Sequence, residues 1–370
     1  MKLTGIPEKP HTPTLFRKYP ELNQTIARIS LGTFPTPVQQ LNWQGYENLW
    51  IKRDDLSSPV YGGNKIRKLE FILAEAGRRN SLHLITFGGL GTNHGLATAI
   101  FCNQLGIECT LLLFHQPLTG NVKQNLLLFE KYHARVVYKK TRWRTVLSYY
   151  LFRRISCPDA YFVFAGGSNP IGTIGYVNAA FELKDQIEAG EIPEPKVIFC
   201  PLGSGGTLAG LSLGLQLANL QTQPVGVRVS ESHLGPFQAC TQKTVEKLMN
   251  QTYDYIKKRS KHLPDVSLRT PTILSDYFGE GYGKPIEAGN RMSKQLKETD
   301  DIMLDPTYTA KTFAAVNDYC QQHRSNSGPI LYWHTYNSVD LSTQVDEIDK
   351  KKLSRTLRSF VDGFPSYKFL

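Results

Sequence analysis

"LHLITFGGLGTNHGLATAIFCNQLGIECTLLLF", residues 82–114, is the stretch on which the fold turns. An apolar run (82–89) ends in two glycines, a helical pattern (94–106) stops at Gly106, and a second apolar run (108–114) follows at once. Strands that are apolar throughout, rather than alternating, are covered on both faces. A helix between two of them is the crossover that a parallel pair requires. The pattern continues: "VKQNLLLFEKYH" (122–133) predicts the next helix and "RVVYK" (135–139) the next strand. Further strands are predicted at 161–167, 196–203 and 224–230, with helical periodicity in "GYVNAAFELKDQIEAG" and "GGTLAGLSLGLQLANL". The class is α/β with open twisted parallel sheets.

Turn formers predict breaks near 168–175 and 187–195. The region 232–270 reads as polar and irregular, and the tail from Val339 to Leu370 carries no recognisable chemistry.

A chain of 370 residues supports one large or two ordinary domains. With 41% hydrophobic residues, 18 Tyr and 18 Phe, it has the means to build a core, which excludes a disordered protein. No apolar run approaches the roughly 20 residues that span a bilayer. The opening "MKLTGIPEKPHTP" lacks the apolar core of a secretory signal, so a cytoplasmic location is expected. Six scattered cysteines form no C-x-x-C pair and nine histidines form no H-E-x-x-H, so no metal is expected. The net charge of +11 has a local source: residues 131–154 hold eight Lys or Arg and no acid, with Trp143, Tyr149 and Tyr150 interleaved. That is the composition of a nucleic-acid or membrane-surface patch. No nucleic-acid motif accompanies it, and the preferred reading is an amphipathic helix whose basic face is solvated or draws small anions. Neither a membrane nor a nucleic acid is expected as a partner.

Three short segments carry chemistry. In "KVIFCPLGSGGTLAGLSLGLQ" a buried strand ends at Leu202, and Gly203, Ser204, Gly205, Gly206 and Thr207 lead into a helix. Unpaired N–H groups at a helix start, aided by the helix dipole, suit an anion. The loop lacks the Lys-Ser/Thr of a Walker A motif, and Leu208 stands where a dinucleotide fingerprint needs its third glycine, so a small phosphate held without metal fits. A turn that needs glycine only for packing is the other reading. In "FGGLGTNHGLATA" (87–99), Thr92, Asn93 and His94 sit at a second helix start, suited to a carboxylate or hydroxyl, or to an ordinary cap. In "YGGNKIRKLE" (61–70) two glycines let backbone approach closely before Asn64 and Lys65. A phosphate cradle, a carboxylate-sized anion site and a glycine-approached lysine together suggest pyridoxal phosphate, which needs a lysine, a phosphate anchor and a partner for its ring nitrogen.

The same segments resemble the fold-type II pyridoxal-phosphate family of 1-aminocyclopropane-1-carboxylate deaminase and D-cysteine desulfhydrase. "IKRDDLSSPVYGGNKIRKLEFILAEA", "GGLGTNHGLATA", "FAGGSNPIGTIGYVNAAFEL", "FGEGYGKP" and "LDPTYTAKTF" carry the likeness, over roughly residues 25–336. The resemblance implies a large cofactor-binding domain (1–66 and 173–338), a small inserted domain (67–172), a C-terminal extension (339–370), the cofactor in a cleft between the domains, and a homodimer. It implies that Lys65 attaches the cofactor covalently and later moves the Cα proton; Lys52 and Lys68 are its competitors, and Lys68, almost one helical turn on, is expected to face elsewhere. Asn64 would hold the ring, and Gly203 to Thr207 the phosphate. Thr92, Asn93 and His94 would surround the substrate carboxylate, while Tyr282 and Tyr308 orient the substrate or its leaving group.

Thr309 would face the ring nitrogen, where the deaminase branch carries an acid. A hydroxyl shares only a neutral hydrogen bond and leaves a weaker electron sink, which is enough to expel sulfide from a β-carbon. The implied reaction is α,β-elimination from D-cysteine to pyruvate, ammonia and hydrogen sulfide. The alternatives are deamination of 1-aminocyclopropane-1-carboxylate to 2-oxobutyrate, and a catalytically weak cofactor-holding or nucleic-acid-associated protein. The chain departs from the family's pattern at Thr92, which replaces a serine, at Lys284, and at Tyr336-Asn337, which replace two glycines.

Overall fold

The computed structural model describes residues 12–43, 46–234, 237–323, 328–348 and 353–361. The strands of the first half are β1 (Val38–Gln40), β2 (Leu49–Arg53), β3 (His83–Gly89), β4 (Glu108–Phe114), β5 (Arg135–Tyr138) and β6 (Tyr161–Phe162). Those of the second are β7 (Val197–Leu202), β8 (Gln223–Arg228), β9 (His233–Leu234), β10 (Phe237–Gln238), β11 (Thr272–Leu274) and β12 (Ile330–His334). The helices begin with α1 (Thr14–Lys18), α2 (Leu22–Thr25), α3 (Asn64–Arg78), α4 (Asn93–Leu105), α5 (Gly120–Lys131) and α6 (Arg142–Leu151). They continue with α7 (Pro170–Glu188), α8 (Gly206–Leu217), α9 (Gln242–Lys257), α10 (Glu287–Asp300), α11 (Thr309–Gln322), α12 (Ser342–Asp346) and α13 (Arg355–Val361).

Two compact units result. One takes in 76–166 and the described residues from 340 onward; the other takes in the described residues up to 75, with 167–339. The divisions thus fall at 75/76 and 166/167, where the sequence resemblance implies 66/67 and 172/173, and the tail groups with the first unit.

The first unit holds a parallel sheet in the order β5-β4-β3-β6. β3 and β4 pair in register from His83–Glu108 to Gly89–Phe114, and nearly every side chain on them is buried, as their unbroken apolar runs require. The strand expected over 161–167 is shorter: the ladder ends at Phe162, and Gly166 and Gly167 take positive φ and turn the chain away. In the tail, α12 and α13 pack on α5, and Lys131 pairs with Glu347 at 2.7 Å.

The second unit holds a six-stranded sheet, β1-β2-β12-β7-β8-β11, parallel except for the antiparallel edge pair β1–β2. Two expectations need correction here. The glycine-rich stretch 168–175 is largely helix: Asn169 caps α7 by accepting from the Gly172 N–H at 2.8 Å, and Pro170 opens its first turn. Its glycines serve packing, for a Cβ at Gly175 would stand 2.1 Å from the Arg67 carbonyl oxygen. Within 232–270 lies the 16-residue α9, which buries Val245, Leu248, Met249, Thr252 and Ile256. That spacing is helical, but the polar residues around it obscure it.

The basic segment 131–154 is not one helix either; it runs from the end of α5 through β5 and α6 into a π-turn, Phe152–Ser156. All six cysteines are free thiols. Among the described residues no helix is long and apolar enough to cross a membrane.

Candidate active site

The site in the second unit is built on α3, whose position is set by buried charge. Arg67, on α3, binds Asp54 at 2.7 Å and Glu182 at 2.8 Å, and the Asp54 carboxylate also accepts from the Tyr176 hydroxyl (2.6 Å), the Trp333 indole (2.7 Å) and Thr36 (2.9 Å). Lys52 completes the cluster, 2.6 Å from Glu182. Burial pushes the Glu182 carboxyl up, but Arg67 and Lys52 together pull it well below the usual carboxylate range. With its amine committed there, Lys52 is excluded as a competitor of Lys65.

The turn before α3 explains the glycines. Gly63 has φ +91°, and a Cβ on it would stand 2.7 Å from the Thr335 carbonyl oxygen. The Asn64 N–H donates to that same oxygen at 3.2 Å, and the Asn337 side-chain oxygen accepts from the Gly62 N–H at 2.6 Å. Asn337, one of the two residues standing where the family has glycines, therefore clamps the lysine turn. Tyr336 beside it carries a phenol that burial and the Asp305 charge push up.

Lys65 follows, partly accessible to solvent. Burial pulls its amine down to about 8, with the Asp305 charge acting the other way. Among the described residues that amine makes no hydrogen bond. One turn on, Lys68 is fully buried, and burial and the Lys65 charge hold its amine well below the ordinary range. It does not face elsewhere: a Cβ on Gly206 would meet Ser168 Oγ at 2.6 Å and Lys68 Nζ at 2.8 Å.

Those contacts define the loop 203–207 at the start of α8. The Gly206 N–H donates to Ser168 Oγ at 3.0 Å, Ser168 and Ser204 share a hydrogen bond of 2.7 Å, and Asn64 Nδ2 donates to Thr207 Oγ1 at 3.1 Å. Hydroxyls of Ser168 and Ser204, a lysine amine and the N-terminus of a helix converge on one spot that no side chain at 206 could share, with the Thr207 hydroxyl next along the helix and held by Asn64. This donor set fits a phosphate ester. From sequence Ser168 has no assigned role, though it lies in "FAGGSNPIGTIGYVNAAFEL", and Lys68 enters only as a competitor of Lys65 expected to face elsewhere.

Asp305 closes the other side. Its carboxyl is buried, and burial pushes it up while bonds from Thr309 and from the Tyr308 and Thr307 N–H groups pull it down. The Thr309 hydroxyl donates a hydrogen bond to that carboxylate. Tyr308 and Tyr282 share a phenol–phenol hydrogen bond of 2.5 Å, and burial, reinforced by Tyr282, holds the Tyr308 phenol well above its ordinary value. A Cβ on Gly203 would lie 3.2 Å from the Tyr308 ring, so Tyr308 borders the loop. Lys311 Nζ donates to the carbonyls of Phe278 (2.6 Å) and Gly281 (3.3 Å), fixing the turn that carries Tyr282. Lys284 pairs on the surface with Glu280 at 3.0 Å.

Thr92, Asn93 and His94 belong to the other unit. Thr92 caps α4 by accepting from the Gly95 N–H at 3.2 Å, Asn93 Oδ1 accepts from Asn125 at 3.2 Å, and buried His94 shares a hydrogen bond of 3.1 Å with Thr86. The methyl of Thr92 is accommodated by glycine: a Cβ on Gly95 would stand 2.5 Å from it.

Comparison with known proteins agrees with this chemistry. Residues 29–335 match the family described as pyridoxal-phosphate dependent enzyme. The chain is 35% identical over 320 residues to D-cysteine desulfhydrase of Klebsiella pneumoniae (strain 342), covering 83% of this chain and 93% of that one. It is 32% identical over 323 residues to D-cysteine desulfhydrase of Serratia proteamaculans (strain 568), with the same coverage. Among solved structures, an ACC (1-aminocyclopropane-1-carboxylate) deaminase homologue superposes with a TM-score of 0.75 at 29% identity, covering 95% of this chain and all of that one. The chain belongs to the pyridoxal-phosphate dependent enzymes, as a lyase of the group that contains D-cysteine desulfhydrase and 1-aminocyclopropane-1-carboxylate deaminase.

Proposed function

We propose that the chain breaks down D-cysteine and water to pyruvate, ammonia and hydrogen sulfide. The observation that carries this reading is the Lys65 amine: drawn down to about 8, it is neutral in a useful fraction at physiological pH and without a competing hydrogen bond. Pyridoxal phosphate, when bound, supplies an aldehyde for covalent attachment and a ring that takes up the electron pair left at Cα. Ser168, Ser204, Thr207, Lys68 and the start of α8 would hold its phosphate, and Asn64 and Thr309 its ring. Thr92, Asn93 and His94 would receive the substrate carboxylate. Lys65 would accept the substrate's Cα proton on Nζ. The Tyr282–Tyr308 phenol pair would supply a proton to the departing sulfur, and the released 2-aminoacrylate hydrolyses to pyruvate and ammonia.

Thr309 stands where an acid would make a stronger sink, which favours D-cysteine; the two sequence relatives above are named for that substrate, while the superposed structure is named for the deaminase. The test is product analysis of the holoenzyme with D-cysteine, L-cysteine, D-serine and 1-aminocyclopropane-1-carboxylate. Pyruvate and sulfide from D-cysteine are expected. 2-Oxobutyrate from the cyclopropane substrate, with nothing from D-cysteine, would assign the deaminase reaction instead. A homodimer is the expected assembly, checked by sedimentation.

A further inference from the structure

Eight large apolar side chains are exposed among the described residues, and five of them crowd into 143–155: Trp143, Leu147, Tyr150, Leu151 and Ile155. The first four lie on α6 at i, i+4, i+7 and i+8, which is one helical face. The opposite face is already used: Thr145, Val146 and Tyr149 are buried, and the Tyr149 ring packs on Phe87 (5.0 Å) and Phe162 (5.3 Å). The helix is thus anchored by one apolar face and turns a second outward. The π-turn that follows carries the stripe on to Ile155, which is 75% exposed. Lys140, Arg144 and Arg153 are exposed on the same segment, and no acid occurs between Glu130 and Asp159.

We propose that this face of α6 docks on an anionic lipid surface, holding the enzyme at a membrane without crossing it. An exposed helix face with an aromatic and aliphatic stripe, edged by lysine and arginine, is the build of an interfacial helix; its rings and aliphatic chains enter the headgroup boundary while its cations meet lipid phosphates. A second copy of the chain fits poorly, because a two-fold contact through this face would set an acid-free basic segment against itself. Nucleic acid fits poorly too, since Leu147, Leu151 and Ile155 give bases neither stacking planes nor hydrogen bonds. The segment presents both exposed cations and an exposed apolar stripe, where the sequence suggested a solvated basic face. The proposed membrane partner departs from the sequence-based expectation of none.

The test is flotation of the full-length holoenzyme with vesicles of phosphatidylcholine alone or with phosphatidylglycerol mixed in. Binding to the anionic vesicles is expected to be roughly a hundredfold stronger, given three exposed cations. It should weaken at high salt, by about tenfold in Leu147→Gln/Leu151→Gln and by about 30-fold in Arg144→Gln/Arg153→Gln, with amino-acid turnover unchanged. These positions are exposed, so the variants should fold, and circular dichroism checks that they do. Four results would overturn the proposal: no flotation, equal binding to both vesicles, salt-sensitive binding to random DNA without flotation, or loss of self-association in the leucine variant without flotation.

Discussion

The Thr309 hydroxyl donates a hydrogen bond to the carboxylate of Asp305 at 2.8 Å, while the Asp305 N–H donates to the same hydroxyl oxygen at 2.7 Å. The hydroxyl is thereby tied to Asp305 both as donor and as acceptor. Behind it the carboxylate takes the N–H groups of Thr307, Tyr308 and Thr309, each at 3.0 Å. The threonine that stands in for an acid has a buried acid directly behind it, something the sequence reading of a lone neutral hydroxyl does not contain.

Thr309→Val should leave the Asp305 carboxylate and N–H each short of a partner in a buried place. The expected cost is about 1–3 kcal/mol of stability. Thr309→Ser, which keeps the hydroxyl, should cost far less. Urea unfolding of the three proteins checks this, and equal midpoints for the valine and serine variants would contradict the bond.

Burial lowers the Lys65 amine to about 8, so between that pH and the unfolded lysine's value near ~10.4 the unfolded chain binds the proton more readily. Stability must then rise with pH across this window, and below it the folded state carries the full cost. In cofactor-free protein Lys65→Met should be the more stable by about 2 kcal/mol at pH 7, allowing for the partial exposure of the amine. Its advantage should vanish above pH ~10.5. Parallel urea titrations at the two pH values measure it; an advantage that did not shrink would place the amine in water.

Lys68 Nζ lies beside Gly206 in the loop proposed to hold the phosphate. Lys68→Met should weaken pyridoxal-phosphate binding about 10- to 100-fold, the worth of a charge-assisted hydrogen bond, and leave pyridoxal binding nearly unchanged. Absorbance titration with both compounds separates the effects. Equal losses for the two would mean that Lys68 acts on the ring or on the fold.

Lys311 holds two carbonyls of the turn that presents Tyr282. Lys311→Met should lower kcat/KM about tenfold, as expected for the loss of one useful hydrogen bond. Combined with Tyr282→Phe it should fall short of additivity by about 1 kcal/mol, because both changes act on one phenol. Strict additivity would separate Lys311 from the tyrosine pair.

What could be read from sequence was what is local along the chain. An apolar strand, a glycine loop and a helix start are neighbours in sequence as well as in space, so 203–207, the Gly-Gly-Asn-Lys turn and the parallel α/β class are legible in the order of residues. Tertiary structure decided everything that joins distant segments. Asp54 meets Glu182 through Arg67 and meets Trp333 directly; Lys68 is turned to Gly206 because α3 is pinned by that buried charge cluster; Asn337 reaches back to Gly62. No periodicity encodes such pairs, since each depends on where two separately folded stretches come to rest. The same reason explains α6: its sequence shows two apolar faces and many cations, but only packing shows which face the core took and which was left to water.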